Sequence, residues 1–147
     1  MPAGQKYWIE EGSLTGCIKN VDLSGGGVSD HYCFTLVNKC LHAKHPLGWV
    51  RALKLKVDGE EVAQDKICFV LRGQRIPLKC MPTITDIWWN LAEEAQICVE
   101  KAGGLTPGPH TVECRLELSL HVNTRTVDRE DIWPRLNTDL KAELNAV

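Results

Sequence analysis

The sequence predicts an all-β fold, an antiparallel β-sandwich, and two observations carry the prediction. The first is the strict alternation of apolar and polar residues from Val112 to Val122, the longest in the chain. A strand puts such apolar residues on one face, whereas a helix would scatter them around its circumference. The second is the Asp58-Gly59 pair, which follows a shorter alternation and favours a tight hairpin turn. Both patterns are typical of antiparallel sheets with one solvated face.

The remaining elements follow in chain order. We expect strands over residues 16–21 and 31–37 around a glycine-rich turn, an irregular crossover over residues 41–49, and a strand over residues 53–57. Residues 67–71 and 75–78 form a second predicted hairpin, in which Pro77 places the returning strand at an edge or bends it away. Residues 95–99 precede a Gly/Pro-rich loop over residues 101–110, and the long alternating strand follows.

The C-terminal segment has a different composition. Asn137 is a good helix-capping residue, and good helix formers follow it, after a Pro134 that ends the preceding element. We therefore expect a β-sandwich domain over residues 1–122 and a polar tail over residues 123–147 with one short helix. A helix this short is marginal alone, so the tail is either frayed or docked on a partner.

Charge and composition exclude several classes of partner. The chain has 17 Lys and Arg against 19 Asp and Glu, and no block of like charge, so nucleic acid and anionic membranes are poor partners. It has no apolar run of the roughly 20 residues that span a membrane, and its N-terminus has no signal-peptide stretch. We expect a soluble, cytoplasmic protein. The seven cysteines are odd in number and include no Cys-x-x-Cys pair, so all seven are expected to be thiols.

Few residues form a pattern that could carry chemistry. Cys40, His42 and His45 come nearest to a metal site, but a structural zinc needs a fourth ligand that is not evident, and a solvated loop is the simpler interpretation. Gly25, Gly26 and Gly27 lack the Lys-Ser/Thr and the helix of a phosphate loop, so we expect a hairpin tip. No catalytic or metal-binding residue is assigned.

The adjacent Trp88 and Trp89 raise a different question. Neighbours on a strand point to opposite faces, so one indole enters the core and the other is directed outward. An outward indole packs under a loop, anchors a protein interface or stacks on a sugar. Trp8 and Trp133, in polar terminal segments, raise the same question, and together these tryptophans suggest a chain that a partner completes.

Three segments in succession resemble a known family. They are the Val-Asp-Gly-Glu hairpin within residues 55–62, the segment 83–90 that ends in Trp-Trp-Asn, and the Gly-Gly-Leu-Thr-Pro-Gly-Pro-His loop within residues 102–112. Their order and spacing resemble the small β subunit of bacterial C-glycoside deglycosidases, over roughly residues 50–122. Residues 1–30 and the tail match nothing in that pattern.

The resemblance implies a function. In that family a larger α subunit with a TIM barrel and a divalent metal, for which manganese is expected, acts on a C-glycoside already oxidised to a 3-ketone. A base removes the C2 hydrogen, which the ketone acidifies, and the aglycone leaves C1 by elimination, so the enzyme is a carbon–carbon lyase. The β subunit supports the α subunit. The interface candidates here are Asp86, Trp88 and Trp89, with Trp133 as a weaker addition.

Two alternatives stay open. A free-standing carbohydrate-binding module would use its outward tryptophans to stack on sugar rings and would bind glycans without a partner. A self-sufficient enzyme would depend on Cys40, His42 and His45.

Overall fold

A computed structural model of the chain describes residues 8–9, 11–40, 45–84, 86–119 and 135–147. Strands make up 58% of it, and nine of them form one curled sheet. The all-β prediction is confirmed, while the sandwich stays a prediction because hydrogen bonding joins the nine strands continuously. The strands are β1 (Leu14–Val21), β2 (His31–Val37), β3 (His45–Pro46), β4 (Val50–Val57), β5 (Glu60–Glu61), β6 (Ile67–Leu71), β7 (Gln74–Pro77), β8 (Trp88–Trp89), β9 (Glu94–Glu100), β10 (Gly108–Ser119) and β11 (Arg135–Ala146).

The large sheet has the order β5-β4-β10-β11-β1-β2-β9-β6-β7, and β3 pairs with β8 in a separate two-stranded sheet. Neighbours in the large sheet are antiparallel, except that β11 runs parallel to β1. The last strand at one edge is β7, which contains Pro77. The predicted edge position is confirmed. Proline has no backbone N–H to donate, and an edge strand tolerates that loss because one of its sides has no neighbouring strand.

Alternation along the strands builds one core on the inner face of the sheet. In β10 the side chains of Val112, Cys114, Leu116 and Leu118 are all at most 1% exposed, as the long alternation predicted. Each such apolar side chain contributes about 1.5–3 kcal/mol when it leaves water. The other half of the sheet supplies Tyr32, Phe34 and Phe69 to the same core, and Trp89 reaches it from the separate strand β8.

The predicted C-terminal helix is wrong, because residues 135–146 form strand β11 between β10 and β1. Leu140 lies opposite Cys114 and Leu144 opposite His110, and both leucines are buried. Asp139 and Lys141, on either side of Leu140, are exposed. Pairing with β10 satisfies the backbone over the whole strand and buries the alternating apolar residues, which a short solvated helix could not do. The predicted domain boundary after residue 122 lies within residues 120–134, outside the described residues.

The prediction of seven thiols is also wrong, because a disulfide joins Cys33 to Cys98. These two residues are direct register partners on β2 and β9, with their Cα atoms 4.3 Å apart. The sequence separates them by 65 positions, so only the strand pairing brings them together. The other five cysteines carry no disulfide, and Cys114 lies on the buried face as predicted.

The glycine-rich segment between β1 and β2 is a hairpin tip, as expected. Its three consecutive amides, at Gly25, Gly26 and Gly27, all donate to the carboxylate of Asp22. The donors that a phosphate would require are therefore already bound to a side chain of the chain itself. The described part of the chain contains no helix with the length and hydropathy of a membrane crossing.

The position of β11 in the core yields a first prediction. Leu140→Ala should lower the free energy of unfolding by about 2–4 kcal/mol, because it removes a buried side chain and leaves a cavity. Lys141→Ala, on the exposed face of the same strand, should change it by less than about 0.5 kcal/mol. Urea unfolding followed by tryptophan fluorescence measures both values. Equal, small effects of the two substitutions would contradict the position of β11.

Candidate interface site

The two adjacent tryptophans of β8 point to opposite sides. Trp89 is fully buried, whereas Trp88 keeps 44% of its surface exposed. The prediction of one inward and one outward indole is confirmed. Trp89 has no accessible surface, so any effect that it has on a partner must be indirect.

Trp89 belongs to an aromatic cluster in the core. Its ring makes an edge contact with Phe69 at a centroid distance of 5.0 Å and lies 5.7 Å from the ring of Trp8. Trp8 is 1% exposed, and its Nε1 donates to Ser13 Oγ. Trp8 is therefore a core residue rather than an outward-facing one, and a β-bridge to Cys40 fixes its backbone. Trp133 lies outside the described residues.

A buried amide fixes the backbone that follows Trp88. The side-chain nitrogen of Asn38 donates to the carbonyl oxygens of Trp89 and Asn90, at 2.9 and 3.1 Å. Its side-chain oxygen accepts from the amide of Cys40, and its backbone oxygen accepts from Ala92. Asn38 is fully buried, so these bonds are protected from water.

An ion pair closes the same turn from the other side. The carboxylate of Glu93 accepts from the Asn90 amide and from Arg72, and Arg72 also donates to the carbonyl oxygen of Trp88 at 2.9 Å. Burial alone would raise the pKa of Glu93, but the Asn90 amide and the Arg72 guanidinium hold it below its ordinary value. Glu93 is therefore an anion that orders the turn.

These contacts define a surface that we name the Trp88 turn, residues 88–93. Its exposed apolar side chains are Trp88 and Leu91, the latter 55% exposed. Asp86, two residues before Trp88, is exposed as well. The structure thus places two of the predicted interface residues, Asp86 and Trp88, at the surface within three positions, beside a backbone held by Asn38 and Arg72.

A second polar cluster lies at the opposite end of the sheet. Nδ1 of His110 is 2.6 Å from Asp58 Oδ2, and Nε2 is 2.7 Å from the carbonyl oxygen of Thr106. Both neighbours are acceptors, so this arrangement favours the imidazolium form, in which both ring nitrogens donate. The bond to Asp58 and then the bond to Thr106 raise the pKa of His110. The bonds from His110 and from the Thr111 amide lower the pKa of Asp58.

This cluster connects two of the three segments that carried the sequence resemblance. Asp58 comes from the 55–62 hairpin, while Thr106 and His110 come from the 102–112 loop. The same loop is held at Leu105, whose amide and carbonyl bond to the side chain of Asn20. Gly104 has a φ of +69°, and a Cβ there would overlap the Asn20 amide, which explains the glycine. The segments 55–62 and 102–112 thus form one hydrogen-bonded unit.

Sequence reasoning missed Asn38 and His110, although a signal existed for each. Asn38 is the next alternate residue after the buried Tyr32, Phe34 and Leu36, so it lies on the same face. His110 is the alternate residue before the buried Val112. A polar residue on an apolar face is buried only when it is hydrogen-bonded. Each of them should therefore have been expected to bind a backbone at a strand end.

The chemistry that these groups can perform is limited, because His110, Asp58 and Glu93 are each engaged in internal bonds. Among the described residues, no three His, Cys, Asp or Glu side chains form a group that could hold a metal ion. Of the predicted alternative site, Cys40 is buried, His42 lies outside the described residues, and only the backbone of His45 is described.

Comparison with known families gives one result. The protein-family model for the C-glycoside deglycosidase beta subunit matches residues 32–123, which is more than half of the chain. The match runs from β2 past the end of β10 and includes Asn38, Asp58, the Trp88 turn and His110. A comparison with curated proteins finds no match.

Asn38 yields a second prediction. Asn38→Ala should lower the free energy of unfolding by about 2–4 kcal/mol, because it leaves two carbonyl groups and one amide without this partner. Chemical denaturation measures the change. Asn137→Ala, at an exposed position of β11, is the control and should have an effect below about 0.5 kcal/mol. If Asn38→Ala lowers the free energy of unfolding no more than the control does, the Trp88 turn is held by other contacts.

The His110–Asp58 pair predicts a pH dependence of stability. The folded pKa of His110 lies above its ordinary 6.5, so its contribution is complete below pH 6.5 and is lost as the pH rises through the folded value. The folded pKa of Asp58 lies below 3.8, so its contribution is complete above pH 3.8 and is lost as the pH falls through the folded value. The stability difference between wild type and His110→Gln should therefore be largest near pH 5–6.

Urea titrations at pH 5.5 and pH 9 test this dependence. The wild-type advantage over His110→Gln should shrink at pH 9, and Asp58→Asn should reduce the same pH dependence. A difference that stays constant from pH 5.5 to pH 9 would show that the imidazolium contributes nothing to folding.

Proposed function

Because the chain belongs to the C-glycoside deglycosidase beta subunit family, we propose that it is the noncatalytic β subunit of a heteromeric lyase. The partner is a larger TIM-barrel α subunit, which holds the catalytic base and a divalent metal, manganese being the expected ion. The family match over residues 32–123 is the observation that carries this proposal. The internal bonding of His110, Asp58 and Glu93 agrees with it, because those groups serve the fold of this chain.

The proposed reaction is an elimination from a 3-oxo-C-glycoside. The ketone acidifies the neighbouring C2 hydrogen, and a general base on the α subunit removes it. The electron pair left at C2 forms a C1–C2 double bond and expels the aglycone carbon from C1, and that carbon takes up a proton. A metal ion on the α subunit would polarise the ketone. No water attacks, so the enzyme is a carbon–carbon lyase rather than a hydrolase.

We assign the docking contact to the Trp88 turn and Asp86. Tryptophan is enriched among residues that dominate binding energy, because a large rigid ring buries much area with little loss of side-chain entropy. The backbone of the turn is already fixed by Asn38 and Arg72, so docking has little to order. Leu91 extends the apolar surface, and Asp86 supplies a charge beside it.

A carbohydrate-binding module is the second candidate, and the 44% exposure of Trp88 is the observation that favours it. An exposed indole can stack on the apolar face of a sugar ring. The two functions differ in which binding affinity depends on Trp88. A docking residue loses affinity for the α subunit when it is replaced, whereas a sugar platform loses affinity for a glycan in the absence of any other chain.

Co-expression with the larger chain encoded beside it tests the proposal. The two chains should co-purify in a fixed ratio, and only the complex should cleave a 3-oxo-C-glucoside. Trp88→Ala should weaken the complex at least tenfold in Kd, a loss of about 1.4 kcal/mol or more, measured by titration calorimetry. Val28→Ala, at another exposed apolar residue, is the matched control and should leave the Kd unchanged.

Three results would contradict this proposal. Turnover by the isolated chain would show that it is catalytic. Glycan binding by the isolated chain that Trp88→Ala abolishes would favour the module. A Kd for the α subunit that is the same for Trp88→Ala and Val28→Ala would move the interface elsewhere on the surface.

A further inference from the structure

Cys98 has a cysteine as its direct register partner on both sides. Cys33 lies opposite it on β2 and Cys68 opposite it on β6. All three lie on the face opposite the core cluster, because their neighbours Phe34, Phe69 and Ile97 are fully buried in it. Cys98, in the middle, is itself only 5% exposed. Directly opposed side chains lie about 4.5–5.5 Å apart at Cβ. The three sulfurs therefore form a row across the strands, with Cys98 in the middle.

Cys98 forms a different kind of antiparallel pair with each of its two neighbours. The Cα–Cα distance of 4.3 Å to Cys33 is typical of a non-hydrogen-bonded pair. The amide and carbonyl of Cys98 then point to β6, which makes Cys68–Cys98 a hydrogen-bonded pair with Cα atoms about 5.5 Å apart. Both separations are close to the range that a disulfide spans, about 4.4–6.8 Å.

The surroundings suit thiol chemistry. Cys33 and Cys98 line a surface depression of about 680 Å³ together with the exposed Cys17 and the cations Lys19 and Arg75. Lys19 is the register partner of Cys33 on β1. Cys114, by contrast, is fully buried on the other face, and burial raises its pKa to about 12.

We propose that this row is a thiol–disulfide exchange site with two alternative cross-strand disulfides, Cys33–Cys98 and Cys68–Cys98. Cys68 is the resolving thiol, and Cys98 is shared by both bonds. The exchange moves the covalent link from the β2–β9 pair to the β9–β6 pair.

The exchange balances without an added oxidant. The Cys68 thiol gives its proton to solvent, and its sulfur bonds to Cys98 Sγ while the bond between Cys98 and Cys33 breaks. The electron pair of that bond leaves on Cys33 Sγ, which takes a proton from solvent. The register places the attacking Cys68 and the leaving Cys33 on opposite sides of Cys98, on β6 and β2. Each state leaves one thiol in the row, either Cys68 or Cys33.

Disulfide mapping of the full-length chain tests the proposal. The protein is equilibrated in a glutathione redox buffer at neutral pH, quenched with acid, alkylated and digested with trypsin and a Glu-specific protease, which cleaves between Cys80 and Cys98. Mass spectrometry should find both linkages, with Cys68–Cys98 in at least about one-tenth of the disulfide-containing molecules. Cys68→Ser should contain Cys33–Cys98 alone, and Cys33→Ser should keep one disulfide, now Cys68–Cys98.

Cys80→Ser is the matched control, because Cys80 lies in the 3-10 helix Leu78–Thr83 outside the row, and its linkage pattern should equal that of wild type. Wild type without a Cys68–Cys98 linkage overturns the proposal, and so does folded Cys33→Ser without it. A linkage that uses Cys17 or Cys80 in place of Cys68 also overturns it. Should Cys33→Ser fail to fold, as judged by circular dichroism, the wild-type map decides.

Discussion

The parallel pairing of β11 with β1 is the contact on which the architecture depends. Ile18 lies opposite Ala146, and the amide of Val147 donates to the carbonyl oxygen of Ile18 at 3.1 Å. Without β11, both β10 and β1 would be open edges, and the two halves of the sheet would have no shared backbone bonds. With it, the charged half around β10 and the cysteine-bearing half around β9 enclose one core.

The same strand shows where sequence reasoning reached its limit. Leu140 and Leu144 are four residues apart, which fits a helical turn and a strand face equally well. Thr138 precedes them and Ala142 lies between them, both on the same strand face. Because these two residues are only weakly hydrophobic, the neighbouring helix formers and the Asn137 cap favoured a helix. Strand pairing with β10 then overrode local helix propensity. Alternation from Val112 to Leu118 in β10, where every inward residue is apolar, predicted the strand correctly.

Some features of the sites are determined by neighbouring residues, and others by residues that are far apart in the sequence. The Asp58-Gly59 turn and the opposite directions of the Trp88 and Trp89 side chains follow from neighbouring residues, and the sequence predicted both. The bond from Asn38 to Trp89 spans 51 positions, and that from Asp58 to His110 spans 52. The same holds for Cys33 and Cys98. These pairs depend on strand order and register, which no local pattern contains.

The two ends of the sheet use their polar groups differently, and this difference bears on function. At the end with His110, Asp22 binds the backbone of its own loop, and Asn20 and Asp58 bind the backbone of segment 102–112. The loops at this end are therefore held by side chains of the chain itself. At the other end, Asn38 and Arg72 fix only the backbone of the Trp88 turn and leave its apolar side chains outside. Because Asn38 and Trp89 belong to the core, the geometry of that surface depends on core packing. A core substitution beside Trp89 should thus weaken docking without contacting the partner.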